Sequence, residues 1–352
     1  MKRTLEQLVR PNIQALAAPR VRTYDSLQTT DAVWLDANET PYNRPLNRYP
    51  DPYQHDLRAA LSPVMRVAAD QIFVSNGLDE AVDLLYQVFA SPRRDNVVAI
   101  TPTRTVYQRY AHIHEVEYRH VPLTADYQLD ADRVLAACDA NTKLVWLCSP
   151  NDPTGDLLDR NEVARVLMGF DGIVVVDESY VEYCRQPSWR TYLEHFPHLV
   201  VLGTMSKAWG CASLRVAMAY AHAPIVSLLD RVKHPYNVGG EAQAKALEML
   251  SKRYDVETWG RQVSSERQEV MRAWSKLDIC EKVFPSVTNF FMVRLHDVDD
   301  VYSYLLSQQI HVLRCDDMEL CEGCLRVTIG TREENNKLIG ALRNYEHLHR
   351  KQ

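Results

Sequence analysis

Three polar clusters in the middle of the chain carry residue types able to bind or move charge. They are Ser149-Pro150-Asn151-Asp152-Pro153-Thr154-Gly155, Asp177-Glu178-Ser179-Tyr180 and Gly203-Thr204-Met205-Ser206-Lys207-Ala208-Trp209. The second sets an acid near a tyrosine, and the third sets a hydroxyl beside a lysine. Arg215 follows shortly after. A fourth segment, Ser75-Asn76-Gly77-Leu78-Asp79-Glu80, leads into a helical pattern. A glycine there lets the backbone approach a ligand closely, and the free N–H groups of a helix start favour a phosphate. Ser206 and Arg215 are further donors suited to the same anion. Taken alone, each has an ordinary structural explanation. A lysine is usually a solvated surface charge, an aspartate after a strand caps a helix or closes a turn, and Asn76 is a plain helix cap. Their grouping is what points to a ligand site.

Each of the three clusters follows a compact apolar run. Such runs occupy 96–100, 144–148, 173–176, 199–202 and 216–220, and most are rich in β-branched residues. Continuous rather than alternating apolar runs predict strands covered on both faces, hence an α/β fold with a mostly parallel sheet flanked by helices. In open sheets of this kind the ligand lies beyond the carboxyl ends of the strands. Three consecutive strands therefore deliver polar residues to one edge. Between 79 and 90, apolar residues at 81, 82, 84, 85, 88 and 89 have the period of a helix with one buried face. From 236 the texture changes. Helical stretches run from 241 to about 275, strands follow at 289–295 and 325–329, and a last helix starts at 333. This predicts an N-terminal arm over 1–45, a large domain over 46–235 and a smaller α+β domain over 236–352, with a hinge at Pro235-Tyr236-Asn237-Val238-Gly239-Gly240.

Composition narrows the function classes. The chain has 352 residues, 46% hydrophobic and 24% charged, which suits an ordinary globular protein and excludes collagen-like or largely disordered chains. With 40 Lys+Arg against 46 Asp+Glu, the net charge of −6 gives no basic excess for nucleic acid. No apolar run approaches the roughly 18 residues of a membrane span. No apolar stretch follows the basic start Met1-Lys2-Arg3, so no secretory signal is expected. Eight scattered cysteines fit a reducing cytoplasm better than a disulfide framework. Cys321-Glu322-Gly323-Cys324 with Cys315 lacks the second pair of a zinc site, so no metal is expected. The motifs of serine hydrolases, zinc proteases, P-loops and dinucleotide folds are missing.

The ordered series Leu35-Asp36-Ala37-Asn38-Glu39-Thr40-Pro41, Asn47-Arg48-Tyr49-Pro50-Asp51-Pro52, Ser75–Glu80, Asn151–Gly155, Asp177–Tyr180, Ser206–Trp209 and Leu325-Arg326-Val327-Thr328-Ile329-Gly330-Thr331-Arg332-Glu333 resembles the histidinol-phosphate aminotransferase family. These are fold-type-I enzymes dependent on pyridoxal 5′-phosphate, and the resemblance covers essentially the whole chain. It implies that Lys207 anchors the cofactor covalently and then moves the substrate's Cα proton. It implies Asp177 at the pyridine nitrogen and Tyr180 at the ring 3′-oxygen, with Gly77, Ser206, Arg215 and the amides of Leu78 and Asp79 at the phosphate. Arg326 would bind the glutamate α-carboxylate or the phosphate of the amino-alcohol substrate, with Arg314, Asn38 and Arg20 assisting. Tyr49 would reach into the neighbouring subunit's site, which implies a homodimer.

Three positions depart from that family pattern. Arg104 stands where the family has the tyrosine that packs on the cofactor ring. Asp152 replaces the asparagine before Pro-Thr-Gly, and Arg20 replaces an N-terminal tyrosine. An ionised aspartate can only accept hydrogen bonds. Both site replacements are charged and opposite in sign, so Arg104 and Asp152 are expected to pair across the cofactor. The implied function is transamination between L-histidinol phosphate and 2-oxoglutarate, giving imidazole acetol phosphate and L-glutamate in histidine biosynthesis. The charged replacements keep open an aminotransferase or decarboxylase of the same fold with another substrate. An idle aminotransferase-like domain used for binding is disfavoured by the joint presence of Lys207, Asp177, Tyr180 and Arg215.

Overall fold

The apolar runs pair into one seven-stranded sheet in the computed structural model, which describes residues 2–19, 21, 22 and 32–349. Its strands are β1 (Ile72–Asn76), β2 (Asn96–Thr101), β3 (Glu117–Pro122), β4 (Thr142–Cys148), β5 (Ile173–Asp177), β6 (Leu199–Thr204) and β7 (Val216–Ala221), in the spatial order β1-β7-β6-β5-β4-β2-β3. Strands β6, β5, β4, β2 and β3 are parallel to their neighbours in that series, whereas β7 runs antiparallel to both β6 and β1. The reversal follows from the short link between β6 and β7, which holds no crossover helix long enough to return the chain in parallel.

Side chains on each inner strand alternate between two cores, as a period of two requires. Val98, Ile100, Val145, Leu147, Val174, Val176 and Val201 enter one, and Val97, Ala99, Leu144, Trp146, Ile173, Val175, Val200 and Leu202 enter the other. This is why the inner strands read as unbroken apolar runs. The two strands that the apolar runs did not predict are the sheet's edges. Of these, β3 reads Glu-Tyr-Arg-His-Val-Pro and is largely solvated, which keeps an edge from pairing with another chain. The expected helix is present as Leu78–Phe89, with eight buried residues facing the second core.

The second sheet is antiparallel throughout, in the order β10-β11-β9-β8, where β8 is Cys280–Val283, β9 Phe290–Leu295, β10 Leu313–Arg314 and β11 Cys324–Thr328. One face of it buries Phe291, Val293, Leu325 and Val327 with Trp274, Leu338 and Leu342 from the covering helices. The other face turns Met292 and Cys324 into the first core of the large sheet. The helical stretch after 241 is two helices, Gly240–Ser251 and Arg253–Trp274, broken at Lys252. Ala246, Met249, Leu250 and Val256 pack with the large sheet, and from Val263 onward the second helix joins the smaller core. At the other end of the chain, Leu8, Val9 and Ile13 of the arm dock into the second core of the large sheet. Among the described residues no helix is long and apolar enough to cross a membrane.

Candidate active site

Adjacent strands of the large sheet bring four charged residues to its carboxyl edge. Lys207 follows β6, Asp177 ends β5, Asp152 follows β4 and Arg104 follows β2. Asp177 is fully buried and accepts four hydrogen bonds. Ser179 gives Oδ1 two, from its N–H at 3.0 Å and its hydroxyl at 2.5 Å. Oδ2 accepts from Arg104 Nη1 at 2.8 Å and from the Tyr107 hydroxyl at 2.6 Å. Burial opposes the Arg104 charge, but the facing Asp177 carboxylate outweighs it and holds the guanidinium firmly protonated. Burial, then the Asp177 charge, push the Tyr107 phenol far above its ordinary range, so it stays a donor. Its ring stacks on Trp146 at 4.8 Å, which locks its position.

The expected Arg104–Asp152 pair is corrected by this geometry. Arg104 spends Nη1 on Asp177 and on the Ser179 hydroxyl, 3.1 Å away. Both oxygens of Asp152 are taken elsewhere. Oδ1 accepts from Arg326 Nη1, and Oδ2 accepts from the Tyr180 hydroxyl at 2.9 Å. Arg326 reaches across from β11 because it stands in register with Met292, on the face of the small sheet that meets the large one. Its guanidinium also lies over the Phe290 ring at 5.2 Å. Burial and the Asp152 charge raise the Tyr180 phenol well above its ordinary value.

Lys207 stands near both ion pairs. Its amine lies 5.3 Å from the centre of the Tyr180 ring and has no hydrogen bond or ion pair to another described residue. Its basicity is lowered, first by burial and next by the Arg104 charge, with Asp152 and Asp177 pulling the other way. A buried amine with reduced basicity keeps a larger uncharged fraction, which is what a nucleophile or proton acceptor needs.

The segment at Gly77 forms a cradle. Gly77 has φ +77° and ψ 168°, a region open essentially to glycine alone. A Cβ built there would lie 2.4 Å from Arg215 Nη2, so the guanidinium sits directly over the glycine. The helix Leu78–Phe89 that starts there has no side-chain cap. The buried Ser75 hydroxyl next to this turn has no hydrogen-bond partner among the described residues. Uncapped amides, a guanidinium and an unsatisfied hydroxyl make a fit receptor for a phosphate.

Other expected residues are not gathered here. Arg314 pairs in register with Leu325, so its side chain lies on the opposite face of the small sheet from Arg326. There it is held by Asp299 at 2.7 Å and by Asp316, over the Tyr302 ring. Strand alternation thus removes it from the anion site where the resemblance put it. Asn38 and Tyr49 line a cleft of about 730 Å³ with Glu39, Arg48, Gly240 and Glu241, and neither Lys207, Asp152 nor Asp177 borders it. Arg20 lies outside the described residues. Tyr107 and Ser179, which hold Asp177, were not among the expected site residues. Ser179 carried a signal, since a serine two positions after an aspartate closes a local side-chain turn. Tyr107 carried only its spacing, three residues after Arg104.

Residues 20–342 match the family model described as aminotransferase class I and II. The chain belongs to that family. A histidinol-phosphate aminotransferase from Bacteroides fragilis is 46% identical over 349 residues, covering 98% of this chain and all of that one. Among solved structures, a histidinol-phosphate aminotransferase from Sinorhizobium meliloti in complex with pyridoxal 5′-phosphate superposes with a TM-score of 0.79 at 21% identity, over 86% of this chain and 84% of that one. An L-threonine-O-3-phosphate decarboxylase from Porphyromonas gingivalis gives 0.73 at 24% identity, over 86% and 91%. At these identities the two structures speak for the fold, which the family shares.

Proposed function

We propose that this aminotransferase moves an amino group between L-histidinol phosphate and 2-oxoglutarate, a step of histidine biosynthesis, using pyridoxal 5′-phosphate. The observation that carries the reading is the position of Lys207, an amine of lowered basicity on the sheet edge that also bears Asp177. The relatives named for this activity, nearly half identical over the full chain, supply the substrate.

The residues fit the cofactor. The cradle at Gly77 with Arg215 has donors for its phosphate, to which Ser206 would add a hydroxyl, and Asp177 is a buried carboxylate suited to a protonated ring nitrogen. The bound group supplies an aldehyde and an electron-poor ring that stabilises negative charge at the substrate's Cα. Lys207 Nζ, without its proton, would hold the aldehyde carbon and, once released by substrate amine, take the Cα proton. The negative charge of Asp177, shared with Arg104 and Tyr107, would favour a proton on the ring nitrogen. Tyr180, kept protonated, would donate at the ring 3′-oxygen or to Asp152. Arg326 would receive the substrate's anionic group, for which its forked guanidinium suits carboxylate and phosphate alike.

The reading extends to a homodimer in the cytoplasm with Tyr49 completing the partner's site. Support comes from the placement of Tyr49 in a cleft apart from Lys207 and from eight free cysteines. The charged pairs at Asp177 and Arg326 favour keeping one second reading, a decarboxylase or another aminotransferase on the same site. A half-reaction titration separates them. Purified protein is mixed with histidinol phosphate, glutamate or other amines while the cofactor's absorbance is followed. Conversion to the pyridoxamine form by histidinol phosphate and by glutamate is expected. A response only to another amine, or carbon dioxide release, overturns the substrate.

A further inference from the structure

Arg326, the guanidinium that receives the substrate's anion on the reading above, already carries a carboxylate. Asp152 accepts from its Nη1, and the Asp152 side chain is only 12% exposed. Among the described residues this is the sole side-chain hydrogen bond of Arg326, and its buried Nε has no partner. The site therefore keeps unused donors on Arg326 but little unbalanced positive charge. Asp152 cannot turn away, because Tyr180, held as a phenol by its surroundings, donates to the other oxygen at 2.9 Å.

An asparagine at this position would leave the charge of Arg326 uncompensated and would offer an N–H to an incoming oxyanion. The aspartate does neither, since an ionised carboxylate only accepts. An α-carboxylate also only accepts. It must share Arg326 with a fixed like charge and finds no donor on Asp152. A phosphate monoester differs, because its second proton leaves at a pKa of about 6. Its monoanion can give an O–H to Asp152 while its other oxygens accept from Arg326.

We propose that Asp152 is a specificity-determining residue, a built-in carboxylate on Arg326 that turns the anion site away from α-carboxylates and toward phosphate monoesters. The proposal rests on the reading of Arg326 as the anion receptor. It predicts an enzyme that handles its phosphorylated amine well and its amino-acid partner poorly.

The test compares wild-type holoenzyme with Asp152→Asn and Arg326→Ala by calorimetric titration with two unreactive probes, maleate and inorganic phosphate, near pH 6. Asp152→Asn is expected to tighten maleate relative to phosphate by at least roughly tenfold, the scale of one hydrogen bond to a charged group. The ratio of kcat/KM for glutamate to that for histidinol phosphate should move the same way. Asp152→Ser, which removes the carboxylate without adding an amide donor, gives the same direction with a smaller shift and covers failure of the first variant to fold. If Arg326→Ala loses both anions while Asp152→Asn leaves their ratio unchanged, the proposal is wrong and the anion receptor stands. If Arg326→Ala changes neither affinity, receptor and proposal fall together. A shifted probe ratio without turnover of histidinol phosphate sinks the substrate and leaves the role of Asp152 intact.

Discussion

At the scale of single residues, the chemistry depends on how readily Lys207 sheds its proton. Burial lowers its basicity, and the Arg104 cation lowers it further. The active form is the uncharged amine, so cofactor capture by the apoprotein rises with pH through the lysine's pKa and levels off above it. Because that pKa is lowered, the rise falls below the ordinary lysine range near 10.4. Arg104→Gln removes a cation and frees negative charge on Asp177. Both changes favour the protonated amine, so the midpoint of the capture profile moves to higher pH. A midpoint that stays put or moves down would remove Arg104 from the account. Lys207→Arg keeps a positive charge that cannot be shed, since guanidinium stays protonated at any working pH. Both half-reactions should then slow by at least roughly 10²-fold, the smaller end of what a positioned proton carrier contributes. Stopped-flow absorbance on cofactor-loaded protein measures it.

At the scale of elements, the strands are the device that makes distant residues meet. The inner strands were legible because burial on both faces leaves its mark on every residue, from Val97 to Leu202. The edge strand β3 left none, since its side chains answer to water as much as to the core. The same limit applies to the site. That Asp177 and Lys207 end up on one edge follows from strand order alone. The partners of Arg104 and Asp152 do not, because these contacts join residues 73 and 174 positions apart, and periodicity carries nothing over such separations. Charge complementarity suggested that Arg104 and Asp152 would find each other. The register of β11 instead delivers Arg326 to Asp152 and leaves Asp177 to Arg104. Alternation along β10 similarly turns Arg314 toward Asp299. The turn before the helix Leu78–Phe89 gives the prediction at this scale. In Gly77→Ala a side chain must adopt a conformation costing about 1–3 kcal/mol and displace the Arg215 guanidinium. Cofactor affinity should fall by at least about tenfold, measured by equilibrium dialysis, and more than affinity for maleate does. Equal losses of both would mean a general disturbance rather than damage to a phosphate cradle.

At the scale of the whole molecule, residues 33–49 stand apart from the core they precede. Val33, Leu35, Tyr42 and Leu46 are 82%, 90%, 78% and 61% exposed. Apolar side chains so concentrated are costly in water and mark a surface for another chain. Tyr49, stacked on Tyr236 at 4.5 Å, belongs to the same region. If a second copy covers it, each active site takes Lys207 from one protomer and Tyr49 from the other. Mixing two inactive variants then has a definite result. A Lys207→Ala chain supplies an intact Tyr49, and a Tyr49→Ala chain supplies an intact Lys207. In their hybrid dimer one site has both residues and the other has neither. With random reassortment half the dimers are hybrids with one good site of two, so unfolding and refolding the mixture should restore about one quarter of wild-type activity. Were Tyr49 to serve its own chain's Lys207, every site in the mixture would lack one residue. Activity would then stay at the average of the two parents, and the exposed apolar segment would need another occupant.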